Sequence, residues 1–454
     1  MSMPSSERNR RNKGAHKSNM SKKKINVITL GCSKNLVDSE HLMAQLDEAG
    51  YEIEVDSNST DAKIVVINTC GFIGDAKQEA IDTILECAEA KADGRIEKLF
   101  VMGCLSERYA DELREEIPEV DDYFGARSLR EVVEALDAEY LPELETERLL
   151  TTPEHYAYLK IGEGCNWHCA YCAIPLIRGH HRSVPMEQVL EEAEGLVAVG
   201  VKEIIVIAQD TTYYGKDLYG ERKLAELLRR LCAIEGVEWV RLHYAYPTDF
   251  PEDVIEVLRD EPKMCKYLDI PLQHIADSQL KAMRRRITKA ETEALVERLR
   301  QEIPDIALRT TMLVGFPGET EEDFEELCEF VQRVRFDRLG AFAYSEEEGT
   351  PSALTMEDNV PDEVKEERVE RLMKLQKRIS LALNAERVGK RMRVVVDRME
   401  GDYYVCRSQY DSPEVDEEIL VSSPAPLAEG DFVEVEVTDC EEYDLYGKVV
   451  QEEA

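Results

Sequence analysis

The sequence predicts an α/β protein in three folded parts: an N-terminal parallel α/β sheet domain, a central (β/α)-type partial or full barrel, and a small C-terminal antiparallel β-barrel of OB-like type. Three observations predict it. Short apolar runs alternate with amphipathic stretches from residue 25 to about 136, as parallel strands with helices on their faces require. The same alternation resumes near residue 158 and lasts to about 383, room for about six units and so for all or most of a barrel. From residue 390 the apolar period changes to two, broken by Gly401, Pro413 and Gly430, which suits short antiparallel strands.

Taken in order, residues 1–24 form a basic tail of Ser, Asn, Arg and Lys with too few apolar groups to order itself. The first folded part, 25–136, has strand-like runs at 25–30, 64–68 and 99–102, with helices starting at Asn35, Asp75 and Ser106. Residues 137–152 are polar and acidic, with Pro142 inside and Pro153 after them, and read as a linker. The central part, 153–384, has strand-like segments at 203–207, 240–244, 267–270, 306–314 and 338–344 after the one that begins near Tyr158. The last part, 385–454, alternates most clearly at 391–396 and 432–437.

At 454 residues the chain exceeds what one core organises. Hydrophobic residues at 43% and charged residues at 33% exclude a disordered or fibrous chain. No run of about 18 apolar residues occurs, so no helical membrane span is expected. The basic N-terminus lacks an apolar h-region, which places the protein in the cytoplasm.

The formal charge of -38 is uneven: residues 1–24 hold eight Lys/Arg against Glu7 alone, so the body is more acidic than the total. Such a body repels nucleic-acid phosphate, so strong nucleic-acid binding is not expected, and a basic protein partner is favoured. The plain alternative is solubility.

Twelve cysteines are far too few for a disulfide scaffold. Cys165, Cys169 and Cys172 form C-x3-C-x2-C in a loop after the first strand of the central part. Three thiols complete a tetrahedral zinc site only if a fourth ligand such as His168 joins. They suit a 4Fe-4S cluster with one iron left open. Cys32, Cys70 and Cys104 are far apart in sequence, yet each lies just past a predicted parallel strand, beside Gly31, Gly71 and Gly103. Open parallel sheets bind ligands beyond those strand ends, so the three can converge on a second three-cysteine cluster. The alternative is three buried cysteines that end strands by chance. Cys87, Cys232, Cys265, Cys328, Cys406 and Cys440 read as ordinary packing.

Candidate small-molecule contacts sit at central strand ends: Gln209 and Gln273 first, then Asp210, His243, Tyr244, His274, Thr310 and Thr311. Gly315 to Gly318 reads as a tight turn before a helix rather than a phosphate cradle.

The C-x3-C-x2-C loop, with Tyr171 before its last cysteine, resembles the signature of the radical S-adenosylmethionine superfamily. With Leu30-Gly31-Cys32-Ser33-Lys34-Asn35, Asn68-Thr69-Cys70, Pro271-Leu272-Gln273-His274 and Gly315-Phe316-Pro317-Gly318 also in place, residues 25 to 454 are similar to the radical S-adenosylmethionine methylthiotransferases. The resemblance implies two 4Fe-4S clusters and S-adenosylmethionine, for which the strand-end residues Gln209 and Gln273 are the candidate contacts unless they are ordinary strand-end polar groups, and insertion of sulfur and a methyl group at an unactivated C–H bond. It implies that one S-adenosylmethionine methylates a sulfur held at the N-terminal cluster and that another yields the hydrogen-abstracting radical. It also implies an electron donor, a sulfur source and a C-terminal domain of the kind called TRAM that docks substrate.

Within the family the substrate is a tRNA adenosine or an aspartate of a small-subunit ribosomal protein near the decoding centre. Residues 385–454 hold seven Lys/Arg against 19 Asp/Glu, a balance that would repel tRNA and attract a basic ribosomal protein, free or in an assembling subunit. The stretches from Cys406 to Asp416 and from Tyr443 to Gly447 also resemble the protein-modifying branch. A third reading, from another class, is an iron–sulfur sensor without radical turnover.

Overall fold

A computed structural model describes residues 23–57, 60–72 and 74–450. Residues 1–22 of the expected basic tail lie outside the described residues. No described helix is long and apolar enough to cross a membrane.

The N-terminal domain runs β1 (Lys24–Thr29), α1 (Ser33–Glu48), β2 (Glu52–Val55), β3 (Ile64–Thr69), α2 (Gly74–Ala92), β4 (Lys98–Gly103), α3 (Cys104–Glu116), β5 (Asp122–Tyr123) and α4 (Leu129–Ala135). Its parallel sheet has the order β2-β1-β3-β4-β5. All six residues of β3 are buried, because helices cover both faces of a central parallel strand. Val66 packs on one side with Ile25, Leu42 and Phe100, and Val65 and Ile67 pack on the other with Ile84 and Leu99. The short edge strands β2 and β5 were absent from the sequence expectation. Four and two residues long, they carry too little apolar pattern to stand out.

The expected linker is fastened rather than free. Within 137–152 the Arg148 side chain is fully buried and pairs with Glu40 of α1 and, at 3.1 Å, with Glu192.

The central domain contributes β6 (Tyr156–Lys160), a small hairpin of β7 (Gly162–Glu163) and β8 (Arg182–Ser183), with α5 (Ile174–Ile177) between them. It continues with β9 (Glu203–Ile207), β10 (Trp239–Leu242), β11 (Met264–Asp269), β12 (Ala307–Val314) and β13 (Arg338–Ala343). The six long strands form one open parallel sheet, β13-β12-β11-β10-β9-β6, so the barrel is partial. Alternation divides its faces. Ala157, Leu159, Ile204, Val206, Val240, Leu242 and Leu308 join the helices in the largest core. The opposite face carries Tyr156, Tyr158, Ile205 and Ile207, covered by Val37 of α1.

The C-terminal domain, β14 (Arg391–Glu400), β15 (Tyr403–Ser408), β16 (Glu418–Ser422), β17 (Phe432–Cys440) and β18 (Asp444–Val449), closes as β14-β15-β16-β18-β17. The expectation of a wholly antiparallel barrel is corrected here. β16 and β18 pair in parallel, because β17 lies between them in sequence and at the far side of β18 in the sheet.

This barrel plugs the interior of the partial barrel at the N-terminal ends of its strands. Val395, Tyr410 and Phe432 pack on Trp239, Cys265, Tyr267 and Ala307. The segment 409–417 reaches inside: Ser412 Oγ meets His243 Nε2 at 3.0 Å, Tyr267 Oη donates to Asp416 at 2.8 Å, and Arg338 pairs with Asp411 and, at 3.0 Å, with Glu417. Buried Arg407 bridges Glu203 at 2.9 Å and Asp397 at 2.7 Å, while Arg241 holds the other Glu203 oxygen at 2.7 Å. The stretch quoted from Cys406 to Asp416 therefore acts within the fold.

A candidate site built from two three-cysteine groups

The strand ends deliver the first group. β1, β3 and β4 stop at Thr29, Thr69 and Gly103, and Cys32, Cys70 and Cys104 follow within three residues. The chain must crowd here, and glycine lets it. Gly31 has φ +95°, and a Cβ there would stand 2.7 Å from Cys70 Cβ and 3.0 Å from its Sγ. At Gly103, φ +105°, a Cβ would meet Asn68 Oδ1 at 2.5 Å. Cys104 responds electrostatically to both Cys32 and Cys70, so the three thiols share one locality.

Asn35, fully buried in the first turn of α1, ties these ends together. Its Nδ2 donates to Leu30 O at 2.9 Å and to Thr69 O at 3.0 Å, and Asn68 Nδ2 donates to its backbone carbonyl at 2.9 Å.

The second group lies on the loop between β7 and α5. Gly164, φ +80°, turns the chain beneath His180, whose carbonyl oxygen would be 2.3 Å from a Cβ. Trp167 stacks on Tyr246 at 4.1 Å and donates to Asp210 Oδ2 at 2.6 Å. Arg285, 3% exposed, donates to Cys169 Sγ at 3.5 Å and to Tyr171 Oη at 3.3 Å, and lies 4.2 Å from the Tyr246 ring.

The two groups adjoin. Cys104 packs against Ala173 and Ile177, and Ala173 directly follows Cys172. Arg178 crosses between them: its Nη2 donates to Cys104 Sγ at 3.3 Å and Asn35 Oδ1 at 2.5 Å, and its Nη1 meets Asp38 at 2.9 Å and Glu163 at 3.2 Å. Lys160 joins Asp38 and, at 2.9 Å, Glu163. Burial opposes the Glu163 charge, but Lys160 and Arg178 overcome it and hold the carboxyl at about 2.

Burial pushes the thiols the other way, Cys104 up to about 11 and Cys165 up to about 12, with Cys70 and Cys172 also raised. Buried thiols of this kind become thiolates when a metal's positive charge arrives. Among the described residues no His, Cys, Asp and Glu group closes around a single ion, whereas a four-iron cube is wider and needs its sulfurs held apart. Three thiols at each of two glycine-cleared or loop-wrapped positions fit such cubes.

The expected small-molecule residues divide. Gln209 donates to Glu163 Oε1 at 2.8 Å and leaves its own Oε1 buried and unpartnered, as a ligand contact would. Gln273 has φ +75° and Tyr244 φ +57°, left-handed conformations that side chains rarely adopt. The others have partners within the fold. Asp210 caps the turn at Thr212 besides holding Trp167, His243 meets the plug, His274 Nε2 meets Glu319 at 3.3 Å, and Thr310 Oγ1 donates to Ile270 O at 2.9 Å. Thr311 is half-buried, and its carbonyl accepts from Gln273 N at 2.9 Å. Gly315 and Gly318 have φ +73° and +83° and form the tight turn expected before the helix Glu321–Val334. Sequence reasoning missed Arg178 and gave Arg285 no role. Arg178 follows the last loop cysteine by six residues, but nothing local marks it as buried.

Comparison with known proteins follows the same division. The Radical SAM superfamily matches residues 159–331, the uncharacterized protein family UPF0004 residues 24–125 and the TRAM domain residues 388–450. The chain is 57% identical over 432 residues to the ribosomal protein uS12 methylthiotransferase RimO of Bacteroides thetaiotaomicron, covering 95% of this chain and 99% of the relative. To the protein of that name from Porphyromonas gingivalis it is 55% identical over 433 residues, 95% and 100% covered. To that from Flavobacterium johnsoniae it is 55% identical over 431 residues, 94% and 98% covered. Among solved structures, the radical S-adenosylmethionine methyltransferase TsrM from Kitasatospora setae, with cobalamin and a 4Fe-4S cluster bound, superposes with TM-score 0.54 at 15% identity, covering 73% of this chain and 77% of that one. At that identity the likeness speaks for the fold alone.

Proposed function

The chain belongs to the ribosomal protein uS12 methylthiotransferase (RimO) family, and on that premise we propose that it methylthiolates the β-carbon of an aspartate in uS12 by radical S-adenosylmethionine chemistry with two 4Fe-4S clusters. The observation that carries the reading is the adjacency of the two three-thiol groups, with Cys104 packed on Ala173. Cys165, Cys169 and Cys172 would hold the cluster that binds S-adenosylmethionine, and Cys32, Cys70 and Cys104 the auxiliary cluster. When bound, the first supplies the electron that cleaves S-adenosylmethionine to a hydrogen-abstracting radical and the second presents the sulfur, chemistry no side-chain base can perform at an unactivated carbon.

This chain's residues do the rest. Gln209 would bind S-adenosylmethionine through its unpartnered Oε1 at the end of β9, with Gln273 past the end of β11, two strands away. Arg285 and Arg178 each aim a guanidinium at one thiol of a group, Cys169 and Cys104, and so would orient sulfur and steady its negative charge. The shared burial of Cys104 and Ala173 keeps water from the junction and sets the groups at short range. A one-electron donor and a source of sulfur complete the requirements.

The C-terminal domain favours a protein substrate over tRNA. Of its seven cations, Arg387, Arg393, Arg398, Arg407 and Lys448 are matched to carboxylates, leaving Lys390 and Arg391 without an ion pair among the described residues. Two cations do not make a phosphate-binding surface on an acidic barrel.

Mass spectrometry of uS12 and of tRNA adenosines from a deletion strain tests the substrate. Loss of the uS12 mark with unchanged tRNA is expected, and the reverse overturns the reading. With purified protein, Cys169→Ala should abolish 5'-deoxyadenosine formation, and Cys70→Ala should spare it but stop sulfur transfer. A wild-type protein that forms no 5'-deoxyadenosine under reducing anaerobic conditions would instead be a sensor.

A further inference from the structure

We propose that Glu347 is a positioning residue for sulfur transfer, holding the N-terminal cysteine group at its working distance from the radical-forming one. This rests on the reading above, in which both groups act on one aspartate of uS12. Glu347 lies in the turn after β13 and is 3% exposed. One of its oxygens, Oε2, takes Arg108 Nη1 of α3 at 2.7 Å and Lys77 Nζ of α2 at 2.9 Å, both from the N-terminal domain. Arg108 Nη2 donates as well to the next carbonyl, Glu348 O, at 2.9 Å.

Both ends of this tie reach a cysteine loop through its backbone. Arg108 Nη1 also donates to Gly71 O at 3.3 Å, the residue after Cys70. On the other side, buried Thr350 closes the turn, its Oγ1 donating to Glu347 O at 2.6 Å. Two residues on, Ser352 donates to Ala170 O, the residue after Cys169, from its N at 2.9 Å and its Oγ at 2.8 Å. Polar contacts therefore lead from Gly71 through Arg108, Glu347 and Ser352 to Ala170.

Another fastening of the N-terminal domain, Asp38 of α1 on Lys160 of β6, lies at the opposite edge of the six-stranded sheet from β13. Ties at both edges hold a domain against rocking, where a tie at one edge would leave a hinge. Radical formation needs the loop cysteines alone, but sulfur transfer needs both groups at a set distance, and a misplacement of about 1 Å can cost on the order of 100-fold. Without the Glu347 carboxylate, Arg108 and Lys77 face each other with no counter-charge and the tie opens. 5'-Deoxyadenosine then still forms, while the unused carbon radical is reduced by one electron from the assay reductant and a proton from water.

The test compares holoenzymes carrying both clusters: wild type, Glu347→Gln and the milder Lys77→Met. Each is assayed for 5'-deoxyadenosine and modified uS12 together, and its backbone amide exchange is followed by mass spectrometry. In Glu347→Gln the modified uS12 formed per 5'-deoxyadenosine should fall about tenfold, with iron content, the spectra of both clusters and the rate of 5'-deoxyadenosine formation as in wild type. Exchange across 345–352 should quicken about tenfold, while that of the helix Glu321–Val334 stays unchanged. Lys77→Met, at the more exposed of the two pairs, should lower the same ratio about threefold. A Glu347→Gln protein that keeps the wild-type ratio overturns the inference. So does one whose ratio falls with exchange at 345–352 unchanged, or one that loses a cluster or 5'-deoxyadenosine formation itself. If Glu347→Gln does not fold, an unchanged ratio in Lys77→Met overturns it. Wild-type enzyme that forms 5'-deoxyadenosine but leaves uS12 unmodified would overturn the substrate reading instead, and is seen before any variant is compared.

Discussion

Removing the guanidinium that donates to Cys104, by Arg178→Met, should act on one cluster and not on the other. Arg178 is 2% exposed and pairs with Asp38 at 2.9 Å and Glu163 at 3.2 Å. Stripping one partner from a buried charge group costs roughly 3–5 kcal/mol. Lys160 still meets both carboxylates, so the lower end, about 3 kcal/mol, is expected. The 3.3 Å hydrogen bond to Cys104 Sγ is lost as well. Hydrogen bonds to cluster sulfurs raise the potential by favouring the more negative reduced form. One charge-assisted bond of about 1.5 kcal/mol then corresponds to on the order of 60 mV for one electron. Anaerobic redox titration followed by electron paramagnetic resonance separates the clusters. The auxiliary midpoint should fall by on the order of 60 mV while the S-adenosylmethionine cluster stays put, and Arg178→Lys should fall between. Equal shifts in both clusters, or none at full iron content, would refute the reasoning.

Gly31→Ala combines a φ of +95° with a Cβ 2.7 Å from Cys70 Cβ, and iron analysis should drop towards a single cluster while 5'-deoxyadenosine formation persists. Arg407→Met leaves buried Glu203 and Asp397 one cation short and should loosen the C-terminal barrel by about 3–5 kcal/mol, seen as a separate early calorimetric transition. Acid should do the same. Against burial, Arg407 and Arg241 hold Glu203, Arg407 and His155 hold Asp397, and Arg338 and Arg387 hold Asp411 below the usual carboxylate range. Depressed carboxyls stabilise above their unfolded values, and that contribution vanishes as pH falls through the folded ones, from about 4 downwards. Asp269 and Glu417, pushed up by burial, act with the opposite sign and blunt the effect. Fluorescence of Trp239, which lies 4.9 Å from Phe432 across the interface, should report the loosening before the N-terminal domain unfolds.

Much of this was legible in the residues because it is local or periodic. The C-x3-C-x2-C loop declares itself, and the apolar runs before Cys32, Cys70 and Cys104 place each at a strand end, from which convergence follows by the geometry of parallel sheets. What escaped depends on tertiary burial. Arg178, Arg285 and Arg407 look in sequence like surface arginines, and only packing across domains makes them buried cations. Asn35 was visible as part of a motif, but not as a loop tie. The stretch from Cys406 to Asp416 was distinctive without revealing why. Its Asp411, Ser412 and Asp416 meet Arg338, His243 and Tyr267, partners more than 70 residues away. The parallel pairing of β16 with β18 likewise could not be read from alternation, which gives a strand's faces and not its neighbour.

The inserted 409–417 segment bears on how a large target is measured. An anchor joined by buried ion pairs has no hinge, so whatever the C-terminal barrel grips is held at one set span from the cysteines. A substrate docked on that barrel would then be chosen by its distance from the docked surface.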